Sequence, residues 1–175
     1  RTSAEIRAMI DGLEADAGIT YLDNEPLGRL TRVPLYAERY LLLTRDDSDV
    51  AGRESISWAE AAARPLCLLT RDMQNRRILN QHMADAGAEA APRLASNSVL
   101  VLAAHVRAGG WETILPHATA ELFAGDGRLR AIPMVAPEVS HLMGLVAEPR
   151  EPHTPVLTAL IAAARRTGRA AGVID

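Results

Sequence analysis

Ser96, Asn97 and Ser98 stand directly before an apolar run of helical length, 99–108. Hydroxyl and short amide side chains are preferred at helix starts, so Ser96 and Ser98 mark one. A helix start that faces a cleft offers free backbone N–H groups and a partial positive charge, which suits a small carboxylate or phosphate. Thr70, Arg71 and Asp72 repeat the pattern after the apolar run 66–69, ahead of a helix that carries Ile78, Leu79 and Met83. Thr70 or Asp72 is placed to cap that helix. Arg71 either pairs bidentately with a carboxylate or is simply solvated. Both clusters point to binding of a small anion, and both also read as plain capping without a ligand.

Other chemistries find less support. All 19 basic residues are arginine, so neither a Schiff-base lysine nor a Walker-type loop lysine exists in the chain. No His/Cys group has zinc spacing and no Gly-x-Ser-x-Gly elbow occurs. His82, His105, His117, His141 and His153 lie far apart in sequence. The single cysteine, Cys67, cannot form an intrachain disulfide, fits a reducing cytoplasm, and sits in an apolar run as an inert core thiol. We therefore expect no enzyme activity, no metal and no cofactor. A net charge of −3 supplies no basic face for DNA, and Arg165, Arg166 and Arg169 read as a solvated helix end. No signal peptide or membrane-spanning run is visible, so no membrane partner is expected.

The elements that must position these residues alternate between helix and strand, which indicates α/β layers around a mixed sheet. Residues 5–19 read as an amphipathic helix, with Ile6, Met9, Ile10 and Leu13 at helical spacing, running into a short buried strand over 15–22. Strands are expected over 38–43, 66–69, 113–115, 130–135 and 141–146, and helices from 58, after 72, over 99–108 and around 155–165. Gly109 and Gly110 can take the positive φ that ends a helix, and Pro116 stops the strand that follows. The hydrophobic fraction is 48% with only 3% aromatic, so the core is built from Ala, Leu, Val and Ile. A chain of 175 residues buries about two-thirds of its unfolded surface.

The segment 96–117 closely resembles the core of the second subdomain in the effector-binding domain of LysR-type transcriptional regulators. Ala108-Gly109 and Leu115-Pro116 fit that pattern, while Trp111 stands where a second glycine is common. Similar matches run in order along nearly the whole chain: Asp16-Ala17-Gly18-Ile19, Pro34-Leu35-Tyr36, the stretch 58–69, 141–146 and the helix from Pro155.

The resemblance implies two Rossmann-like lobes joined by a double crossover, as in type 2 periplasmic binding proteins. Crossings are expected at 44–53, charged and glycine-bearing, and at 136–141. Residues 1–48 and 140–175 then form one lobe and 52–136 the other. The effector cleft is expected between the lobes, lined by Thr70, Arg71, Ser96, Asn97 and Ser98, with Tyr21 at a strand end and His141 near the second crossing. The family's helix-turn-helix, linker helix, and first strand and helix of the effector domain have no counterpart here, so the sequence reads as an N-terminally truncated piece. The implied partners are a small effector, a second copy in a homodimer or tetramer, promoter DNA through the absent N-terminal domain, and RNA polymerase. Met9, Leu13 and the helix near 100–106 are the expected apolar contributors to self-association. A solute-binding protein of a transport system shares the architecture, as does an enzyme built on the same scaffold.

Overall fold

A computed structural model describes residues 3–23, 26–149 and 151–174. In chain order its elements are α1 (Ser3–Asp11), β1 (Ala17–Tyr21), β2 (Thr31–Glu38), β3 (Tyr40–Arg45), β4 (Ile56–Ser57), α2 (Trp58–Ala62), β5 (Cys67–Leu69), α3 (Gln74–Asp85), β6 (Leu94–Ser96), α4 (Val99–Ala108), β7 (Thr113–Pro116), α5 (His117–Ala124), β8 (Leu129–Val135), β9 (His141–Ala147) and α6 (Pro155–Ala170). They group into two compact units, 1–38 with 140–175, and 39–139.

The first unit is an antiparallel sheet ordered β1-β9-β2, in which Tyr21 lies opposite Met143 and Glu38 opposite His141. Helix α6 covers it through Leu157, Ile161 and Ala164, which pack with Val33, Leu35 and Leu145. Thr154 caps α6 by accepting from the Leu157 N–H at 3.2 Å, and Pro155 occupies the first turn, where its missing N–H costs nothing. Gly168 is required by the packing, since a Cβ there would stand 2.3 Å from the Pro34 carbonyl oxygen. Helix α1 is shorter than its apolar spacing suggests. The Gly12 N–H still bonds to Ala8 O, but Leu13 adopts φ 60 and the chain turns into β1. Leu13 is therefore exposed and adds nothing to the helix's buried stripe.

The second unit carries a sheet ordered β4-β8-β3-β7 and a parallel pair, β5-β6. Strand β3 is antiparallel to both β7 and β8, with Leu43 opposite Thr113 on one side and Ala131 on the other. This pairing puts the boundary between the units at Glu38–Arg39, ahead of the expected 44–53, which holds the end of β3 and the turn after it within the second unit. The strand expected over 38–43 falls on two strands, the end of β2 and most of β3, interrupted at Arg39. The core gathers Leu43, Cys67, Leu69, Leu102, Val106 and Leu115. Ser57 and Glu60 form a reciprocal capping box at α2, holding Trp58 fully buried against Tyr40 and His82 while its indole N–H donates to Pro137 O at 3.0 Å.

Candidate functional site

Strands β5 and β6 run parallel, with Leu69 opposite Ser96, so both end on the same edge and each feeds a helix. In α/β proteins the C-terminal ends of parallel strands are where ligands bind, because the following helices turn their N–H groups toward that edge. The Thr70 N–H donates to Ser96 O at 3.2 Å and ties the two strand ends together. The Ser96 hydroxyl accepts from the Ser98 N–H at 3.1 Å, and the Ser98 hydroxyl caps α4 by accepting from the Val101 N–H at 3.4 Å. Asn97 is exposed between them.

The start of α3 is built differently from the capping expected there. The N-cap residue is Met73, which offers no side-chain bond, and the first turn holds no acid. The Thr70 hydroxyl holds the Asp72 carboxyl below its usual range, without meeting good hydrogen-bond geometry. Arg71 is exposed and lines a concavity of ≈ 560 Å³ with Asn80, Ala84 and Gly87, further along α3. The buried guanidinium belongs instead to Arg76, which donates to Leu69 O at 2.9 Å and to Asn80 Oδ1 at 2.8 Å. Burial, and next the charge of Arg71, lower its affinity for its proton.

Tyr21 and His141, in the first unit, meet edge to face at a centroid distance of 6.2 Å. The Tyr21 hydroxyl donates to the buried Glu38 at 2.5 Å, and His141 Nδ1 lies 3.3 Å from Asp23 Oδ2. Asp23 also accepts the Leu142 N–H at 3.0 Å, so one carboxylate fixes both the ring and the start of β9. Sequence reasoning missed Glu38, Asp23 and Arg76. Arg76 and Asn80 at i, i+4 were the one local signal, and the others depend on strand pairing.

A third polar cluster surrounds Glu112, buried at the start of β7. It accepts from Thr44 Oγ1 at 2.8 Å, Ser48 Oγ at 3.2 Å, and Arg64 Nε and Nη2 at 2.8 Å each. Every charge in it is paired, which suits a structural clasp. Cys67 is buried, and burial pushes its thiol up to about 11, so it holds little thiolate near neutral pH.

The sequence matches the LysR substrate binding domain family over residues 1–169. No curated protein matches it. Among solved structures it resembles the reduced form of OxyR, at 26% identity and a TM-score of 0.77, covering 96% of this chain and 78% of that one. The effector-binding domain of QuiR in complex with shikimate shares the fold, at 14% identity and a TM-score of 0.80, with 97% and 79% covered. So does full-length OxyR C199D from Pseudomonas aeruginosa, at 19% identity and a TM-score of 0.74, where 95% of this chain spans 53% of that one. These likenesses carry the type 2 periplasmic-binding-protein-like fold, and the family match favours effector sensing over solute transport. The chain belongs to the LysR substrate-binding domain family and is the effector-sensing regulatory domain of a LysR-type regulator.

Proposed function

We propose that this domain binds a small anionic metabolite at the strand ends of β5 and β6, through Thr70, Ser96, Asn97 and Ser98. One observation carries the reading. The Thr70 to Ser96 bond sets the starts of α3 and α4 side by side, so two helix N-termini bear on one edge. Arg71 supplies long-range positive charge from the exposed side. Tyr21 and His141, held by Glu38 and Asp23, form a polar cluster of the first unit by itself. Binding changes the regulator's state only through differential affinity for its conformations. The output passes to promoter DNA, and to RNA polymerase, through DNA-binding domains of the full-length protein in the cytoplasm. Leu100 and Val101 on α4, with Leu13 and Ile19, are exposed apolar residues suited to a second copy in a homodimer or tetramer. With one buried thiol, a disulfide within the chain is not the signal.

Thermal unfolding against organic acids, phosphates and neutral analogues tests this. A ligand of the native state raises the melting temperature in proportion to log concentration, and Ser98→Ala reduces that increment. If no compound raises it, or every increment survives Ser98→Ala, the site is misassigned.

A further inference from the structure

The start of α3 holds a concentration of unmet polar groups. Among the described residues six buried side-chain polar atoms lack a hydrogen-bond partner, and three of them are Thr70 Oγ1, Asn75 Nδ2 and Asn75 Oδ1. Asn75 is 8% exposed and Arg76 1%. The acceptors of Arg76, Leu69 O and Asn80 Oδ1, are both uncharged, and the like charge of Arg71 acts against its guanidinium. A buried carboxamide bare on both sides, beside a buried guanidinium without an anion, is costly unless a further group completes both. The helix adds to the demand, since α3 has neither a side-chain cap nor an acid in its first turn.

The missing group is defined by what is unmet. Asn75 Nδ2 can donate, the first N–H groups of α3 donate as well, and the Arg76 guanidinium favours negative charge nearby. These call for an oxyanion. Asn75 Oδ1 only accepts, so the same ligand must also present a donor. We infer that Asn75 and Arg76 are the charge- and hydroxyl-reading residues of this site, and that its ligand is a small hydroxy-carboxylic acid. The inference rests on the effector reading above and reassigns its charge recognition from Arg71 to Arg76. Asn75 bonds the carboxylate through Nδ2 and the ligand hydroxyl through Oδ1. Arg76 stays on Leu69 O and Asn80 as a positioning residue, compensating the charge from behind the first turn.

The test pairs hydroxy acids with their unhydroxylated skeletons: lactate with propionate, 4-hydroxybenzoate with benzoate, shikimate with cyclohexanecarboxylate. Melting temperatures are read on the wild type, Asn75→Leu and Arg71→Ala. At least one hydroxy acid is expected to raise the wild-type value by about 5–10 °C at a hundredfold excess over Kd, and its partner to bind at least about tenfold more weakly. Asn75→Leu removes the bare carboxamide, so it raises the unliganded melting temperature and abolishes the ligand increment. Arg71→Ala, which removes only a long-range charge, lowers the increment far less than Asn75→Leu does. A carboxamide that serves only structure gives the reverse for Asn75→Leu: lower unliganded stability with the increment intact, which overturns the inference. So does equal binding of both members of a pair, or no response to any hydroxy acid. A response to a neutral or unhydroxylated compound that Ser98→Ala reduces leaves the effector site standing and removes only this assignment.

Discussion

Glu112→Ala is the most demanding perturbation of the second unit. The Glu112 side chain is 5% exposed and receives four hydrogen bonds, two from Arg64, one from Thr44 and one from Ser48. Alanine strands the Thr44 hydroxyl, buried at 1% exposure, and leaves Arg64 with Asp49 as its only carboxylate. Removing one partner of a buried charge pair costs about 3–5 kcal/mol, and the 23% exposure of Arg64 places this case at the lower end, about 3 kcal/mol. For a domain of this size that lowers the melting temperature by about 6–12 °C. Urea unfolding followed by fluorescence of Trp58 and Trp111, both in the same unit, measures it as a lower midpoint with unchanged slope. Glu112→Gln keeps one acceptor and the shape, and falls between wild type and Glu112→Ala. Asp49→Ala removes only an exposed contact and shifts the midpoint far less. A loss under about 1 kcal/mol for Glu112→Ala would refute the view that the clasp joins β3, the 46–53 turn and β7.

Three further outcomes follow from local geometry. Gly168→Ala drives a Cβ to 2.3 Å from Pro34 O and should destabilise the first unit by about 2–3 kcal/mol, whereas Gly52→Ala meets nothing within 4 Å and should be neutral or slightly stabilising; chemical denaturation of both separates packing from backbone entropy. Arg53, then Ser57, hold the Glu60 carboxyl at about 2, below its ordinary 4.5. Its folded value is depressed, so its stabilising contribution is present above about pH 4.5 and fades as the pH falls toward 2. Melting curves of wild type and Glu60→Gln should therefore converge across that window, and a gap that widens on acidification would contradict the sign. The Cys67 thiol, pushed up to about 11 by burial, should resist a disulfide reagent at pH 8 in native protein and react on unfolding in urea. Rapid native labelling would show that β5 opens locally.

Much of the fold was legible because it is written locally. The serines before α4 and the glycines after it act within one helical turn, and side-chain spacing states them directly; the Ser57/Glu60 box and the Thr154 cap are as local, but the sequence reading did not use them. The family's ordered landmarks gave the architecture along nearly the whole chain. The Met73 cap of α3 was not legible, because Thr70 and Asp72 are good capping residues that the turn places too early.

What the sequence by itself determined is therefore most of the helices and strands, the class of fold, and the exclusion of lysine and intrachain disulfide chemistry. Tertiary structure alone decided which groups the helix starts face. Strand β3 belongs to the second unit because its two hydrogen-bonding edges find β7 and β8, partners about 70 and 90 residues away that no local pattern names. Glu112 is a buried hub through donors 48 to 68 residues distant. Arg71 and Arg76 look alike in a sequence, since charge is a property of the side chain. Burial is a property of the packing around it, and it left Arg71 in solvent and set Arg76 against the end of β5 with its charge unanswered.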